Sequence, residues 1–189
     1  GINDVSITAT EDEMHQDMDD CYKNWTTPME AANLLELFMT QDFMRNEYTD
    51  FLKHIMIECG TGKDRLPAPL PESEVKIGHK TGTSDKNDRG EYIGINDIGF
   101  VILPDGSRYV VAVFVKDSKE NMETNAKIIS DISAAVYRYA GIVKIVLFCT
   151  IYRDKNVINI ILWIITSLKY LEIKSNIWTY YCLGMNRKQ

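Results

Sequence analysis

Between residues 75 and 116 the chain carries three runs of strand character joined by two short polar links, and nothing else in its 189 residues restricts the fold as much. The runs cover residues 75–83, 92–103 and 109–116; the links are Asp85-Lys86-Asn87-Asp88-Arg89-Gly90 and Pro104-Asp105-Gly106-Ser107. Links this short join antiparallel neighbours, because a parallel crossover needs a dozen or more residues. A three-strand antiparallel meander follows. Its second and third runs, 98–103 and 110–115, are almost continuously apolar, so both faces of the sheet must be covered. Residues 121–139 supply one cover: Ile128, Ile129, Ile132, Val136 and Tyr139 fall on one face of a helix that Gly141 can end. The expected class is α/β, an antiparallel sheet packed by helices.

Upstream, Thr27-Pro28-Met29-Glu30 combines an N-cap, a proline at the first helical position and a glutamate placed for a capping box. It predicts a helix to about Thr40, with Ala31, Leu34, Leu35, Phe38 and Met39 as a core face. A second helix over 47–58 places Tyr48, Phe51, Leu52, Ile55 and Met56 together and stops at Cys59-Gly60-Thr61-Gly62. Residues 1–26 are acidic and aperiodic and read as a long surface loop, a class of segment that often carries function. Arg65 lies in a proline-broken stretch where an irregular connection is expected.

Charge and cysteine usage narrow the function. The chain has a net charge of −6 although residues 142–189 are lysine- and arginine-rich, so the body is more acidic still and has no basic footprint for nucleic acid. The four cysteines show neither CxxC nor Cys/His spacing, which argues against a zinc site or a disulfide framework. Residues 142–189 change composition together with charge and are expected to be foreign to a domain spanning residues 1–141. Their apolar run, 157–165, is broken by Lys169 before the roughly 20 residues that a membrane span needs.

His79-Lys80-Thr81-Gly82-Thr83-Ser84 closes the first strand. A strand end can hold an ammonium, hydroxyls and backbone N–H groups in fixed relation, and Gly82 lets a ligand approach the main chain, an arrangement suited to an anion. K-T-G alone is a weak signal. Together with the acidic loop, the capped helix, the stretch from Cys59 to Leu66, Asn96-Asp97 and Ala112-Val113-Phe114-Val115-Lys116-Asp117, it gives residues 1 to about 140 a resemblance to the C-terminal half of a class A serine β-lactamase, nearest the extended-spectrum cephalosporinase branch.

That resemblance implies hydrolysis of the β-lactam amide through a serine acyl-enzyme, with no metal or organic cofactor, in a monomeric periplasmic or secreted protein whose partners are β-lactam small molecules. Lys80 and Thr81 would hold the substrate carboxylate, with Arg65 adding charge. The Thr83 N–H would be one of two oxyanion donors, and its carbonyl and hydroxyl, with Ser84, would line the substrate edge, where Gly82 lets the substrate approach the main chain. Glu11 falls where the family keeps the general base of its Ω loop, with Glu13 as the rival if the register slips by two. His15 stands where the family usually has the asparagine that holds the hydrolytic water; a neutral imidazole can do this through one nitrogen, so activity would fall on its protonation.

Three departures accompany the resemblance. The ion pair that commonly closes the Ω loop is replaced by Ala9 and Asn24, and the connection from Arg65 to Lys80 is one residue longer than usual. No S-x-x-K or S-D-N precedes Glu11, so the isolated chain is expected to lack the nucleophile, to be inactive and to expose surfaces meant for burial. A penicillin-binding transpeptidase or carboxypeptidase relative also carries K-T-G but lacks the Ω-loop base.

Overall fold

The computed structural model describes residues 2–40, 44–140, 145–154 and 157–166. The acidic N-terminal stretch is more ordered than a plain loop. Strand β1 (Val5–Ser6) pairs antiparallel with β2 (Trp25–Thr26), and between them lie helix α1 (Glu11–Gln16) and a 3-10 turn (Met18–Lys23). Two local devices, invisible to a search for apolar periodicity, account for this correction. Thr10 and Glu13 form a reciprocal capping box that starts α1, and Asp17 caps the 3-10 turn through the Asp19 N–H.

Helices α2 (Pro28–Thr40) and α3 (Asn46–Ile57) follow, and the Thr27 hydroxyl accepts from the Glu30 N–H at 3.1 Å. The three expected strands are β3 (Lys76–Thr83), β4 (Tyr92–Ile102) and β5 (Arg108–Ser118), paired antiparallel in sequence order. Helix α4 (Met122–Ala140) comes next. Strands β6 (Ile145–Asp154) and β7 (Val157–Thr166) then extend the sheet, β6 running parallel to β5 and antiparallel to β7, in the order β3-β4-β5-β6-β7. The sheet thus has two strands more than the meander, both formed by residues beyond 141. Among the described residues, β3 is one edge strand of the sheet and β7 the other.

Period-two alternation decides which helix each strand residue meets. Val111, Val113 and Val115 of β5, with Ile95 and Val101 of β4, pack against Ile129, Ile132 and Val136 of α4. Val110, Ala112 and Phe100 turn the other way, onto Ala31, Ala32, Leu35 and Phe38 of α2. Gly78 makes room for this second layer, since a Cβ there would lie 2.3 Å from the Phe100 ring. Three expected core faces are only partly buried, that of α4 because Tyr139 is exposed at its end. Leu52 and Met56 of α3 reach the α2-side core, but Tyr48, Phe51 and Ile55 are exposed, as is Leu34 of α2. Each helix meets the layer with a narrower stripe than its apolar residues span. Among the described residues, no helix is long and apolar enough to cross a membrane and no group of His, Cys, Asp and Glu could hold a metal ion.

Candidate active site

A cavity of about 840 Å3 lies between the N-terminal loop and the end of β3. Glu11 and His15 line it from α1, where a separation of four residues puts them on one helical face. Gly82 and Thr83 line it from the end of β3, and Ser84 from the residue just beyond. Two separate parts of the sequence therefore converge on one space: a carboxylate and an imidazole on one wall, and a glycine-containing strand edge on the other.

The loop is held in place by contacts that the sequence did not announce. The Asn24 side chain accepts from the Thr8 N–H at 2.7 Å and the Ala9 N–H at 2.9 Å, and donates to the Ala9 carbonyl at 2.8 Å. This neutral amide clasp joins the two positions, Ala9 and Asn24, where an ion pair was missing. Farther along, the Tyr22 hydroxyl donates to Asp117 at 2.5 Å, and the Lys116 ammonium sits over the Tyr22 ring. Burial and this hydrogen bond raise the Tyr22 pKa, keeping the phenol a donor. Asp117 holds φ at 52°, uncommon for a residue with a side chain, where its carboxylate meets both Tyr22 and Lys116.

Within α1 the two candidate carboxylates have different surroundings. Glu13 accepts from the Thr10 N–H at 2.7 Å and the Thr10 hydroxyl at 2.9 Å, and these bonds lower its pKa. Its carboxylate is engaged in the helix cap, and the residue is not part of the cavity wall; Glu11, two residues earlier, is. The capping box supplies the physical difference between them.

At the end of β3 the pairing pattern sets the direction of each peptide. The Ser84 N–H donates to the Gly94 carbonyl at 2.9 Å, so the alternation of an antiparallel ladder turns the Thr83 N–H outward, toward the free edge. Arg65 reinforces that orientation from behind. It is 6% exposed and donates to the Gly82 carbonyl at 3.1 Å, the Asn96 carbonyl at 2.8 Å and the Thr83 hydroxyl at 2.6 Å. Expected as an added charge for a ligand, the guanidinium instead has these main-chain and hydroxyl partners. Lys80 is exposed and its ammonium donates to the Thr81 carbonyl; the Thr81 and Thr61 hydroxyls are 2.7 Å apart. Lys80, Thr81 and Arg65 are outside the cavity wall, which the strand enters at Gly82.

Behind the motif lies a buried polar pair. His79 Nδ1 is 2.9 Å from Asp97 Oδ1, both side chains are essentially inaccessible, and Asp97 Oδ2 accepts from the Leu66 N–H at 3.2 Å. Gly99 permits the packing, because a Cβ there would be 2.9 Å from the His79 Cβ. The signal for this pair was a carboxylate in the largely apolar β4, a costly placement unless a partner faces it.

Residues 1–140 match the model of the β-lactamase enzyme family. A β-lactamase of Bacteroides uniformis is 44% identical over 137 residues, covering 72% of this chain and 46% of that protein. The β-lactamase VEB-1 of Pseudomonas aeruginosa is 40% identical over 140 residues, covering 73% and 46%. A class A β-lactamase structure from Bacteroides cellulosilyticus superposes with a TM-score of 0.69 at 47% identity, covering 73% of this chain and 49% of that one. The TLA-3 extended-spectrum β-lactamase gives 0.71 at 42% identity, covering 74% and 50%. The chain spans about half the length of the curated relatives it matches. With the antiparallel sheet, its two helical layers and the K-T-G strand edge facing an acidic loop, these similarities place the chain in the β-lactamase enzyme family, class A.

Proposed function

We propose that this chain supplies the substrate-anion, oxyanion and deacylation side of a serine β-lactamase, which opens the β-lactam amide of penicillins and cephalosporins and thereby confers antibiotic resistance. The serine nucleophile belongs to the part of the family fold that the chain does not span. Lys80 and Thr81 hold the carboxylate beside the lactam ring. The Thr83 N–H faces the oxygen on which negative charge develops, a placement worth on the order of 3 kcal/mol of barrier for one donor. Glu11 is the general base that activates the water attacking the acyl-enzyme, and His15 holds that water. Gly82 and Ser84 line the substrate edge, while Arg65 acts through Gly82 and Thr83. The whole protein works as an exported, periplasmic or secreted monomer. Residues 142–189 stand outside the family domain, whose match ends at residue 140.

The observation that supports this reading most directly is the shared cavity, which brings Glu11 and His15 opposite Thr83 while the rival Glu13 serves the cap. The test joins residues 1–141 to the N-terminal half of a class A relative bearing the serine and lysine. Glu11→Gln should then leave acylation intact and stall deacylation, so that a cephalosporin gives one burst of product and an acyl-enzyme visible by mass. Glu13→Gln should keep turning over. Unchanged deacylation in Glu11→Gln would remove the assignment. The same hydrolysis assay on the 189-residue chain alone should give no turnover.

A further inference from the structure

We propose that Thr61 is a positioning residue that fixes the Thr81 hydroxyl as a donor to the substrate's carboxylate. The inference rests on the reading of Lys80 and Thr81 as the anion site, and it starts from a count of protons. The Thr61 and Thr81 hydroxyls are 2.7 Å apart and share one hydrogen bond, so one proton lies between them and one remains free. If Thr61 donates, the free proton is on Thr81 and available to an anion. If Thr81 donates, its proton is spent on Thr61 and the anion meets only lone pairs. A second neighbour is placed to support the first arrangement. The Cys59 sulfur lies 3.4 Å from the Thr61 hydroxyl oxygen, a contact in which either atom can donate, and 3.8 Å from the Thr61 carbonyl oxygen; with the thiol proton on the nearer hydroxyl, the Thr61 proton is directed toward Thr81. Thiol, hydroxyl and hydroxyl then form a chain of donors ending at the anion, in which each bond polarises the next.

The Gly60-Thr61-Gly62 turn is shaped for this contact. Gly62 has φ 62°, and a Cβ there would lie 2.3 Å from Thr81 Cγ2, so only glycine lets the turn come this close to β3. The segment that follows is fixed on three sides: Arg65 donates to Gly82, Asn96 and Thr83, the Leu66 N–H to Asp97, and the Ser133 hydroxyl of α4 to the Leu66 carbonyl at 2.7 Å. Thr61 is therefore carried by a braced turn, while its own side chain is exposed and serves no packing purpose in the core.

The test uses the full 189-residue chain and two probes, benzylpenicillin and its methyl ester, which lacks the anion; binding is read from the Gly82 and Thr83 amide signals. The wild-type chain should bind the acid more tightly than the ester, and Lys80→Ala should erase the difference. Thr61→Val keeps the shape, removes the hydroxyl and should weaken the acid about fivefold without moving the ester. Thr61→Ser should restore the acid to the wild-type value, and Gly62→Ala, which pushes the turn off Thr81, should copy Thr61→Val. Wild-type affinity in Thr61→Val, with Lys80→Ala still defective, would overturn the role of Thr61 and leave the anion site standing. Equal loss of acid and ester in Thr61→Val would make it a structural residue and overturn the proposal as well. A wild-type chain that does not distinguish the probes would overturn the anion site, and the role of Thr61 with it.

Discussion

Asp97 shows how one residue can brace a site it never touches. Its carboxylate has no solvent and holds two donors, His79 Nδ1 on β3 and the Leu66 N–H in the segment carrying Arg65. Removing it strands both in an apolar layer beneath Lys80 and Thr81. Asp97→Ala is expected to lower stability by about 2–4 kcal/mol in urea unfolding. Asp97→Asn keeps the shape and one acceptor and should lose less. Arg65 teaches the complementary lesson. A charged side chain in a proline-rich stretch reads as surface, yet its guanidinium is buried against two carbonyls and a hydroxyl at the end of β3.

At the scale of elements, the N-terminal loop is the part on which the proposed catalysis would depend and a part with little apolar anchoring, since neither α1 nor the 3-10 turn has a buried residue. Its order rests on polar contacts: the Asn24 clasp at the neck, the Thr10 and Glu13 cap, and the Tyr22 bond to Asp117. Asn24→Ala should open the neck, with faster amide exchange and proteolysis across residues 8–24 and a global loss of only about 1–2 kcal/mol. The cap makes the loop sensitive to acid. Glu13 has its pKa lowered in the folded state by the Thr10 bonds, so the unfolded loop binds the proton more readily. The cap's contribution is complete above the ordinary carboxylate range and is lost as pH falls through the lower folded value. The protection factors of the α1 amides, taken against the intrinsic exchange rate at each pH, should fall on acidification from about pH 5 toward pH 3, and Glu13→Ala, already without the cap, should show no such fall.

For the whole molecule, the sheet and its two helical layers dominate stability. Phe100 is fully buried between β3 and α2, and Phe100→Ala should cost about 3–5 kcal/mol in denaturant unfolding. The C-terminal residues pose a sharper question. The family match ends at 140, whereas β6 pairs with β5 and covers an edge that would otherwise show unpaired backbone groups. If residues 142–189 are foreign to the domain, a chain ending at residue 141 keeps its melting temperature; a drop of many degrees would make β6 and β7 part of the fold.

The three meander strands, the α2 start and the long apolar helix were legible because they follow from periodicity and caps, which are local properties; β1, β2, β6 and β7 were not. The strand-edge motif was legible as chemistry once its neighbours were in order. The sequence by itself determined that an antiparallel meander would be covered on both faces and would present Lys80, Thr81 and Gly82 at a strand end. The partners across chain separations of 15 to 95 residues were decided only by the tertiary structure: the Asn24 clasp on Ala9, Tyr22 on Asp117, Arg65 behind Thr83, and Thr61 on Thr81. Each of these depends on distances of about 3 Å between groups that no local propensity relates, and such distances are fixed only when the strands and helices have packed.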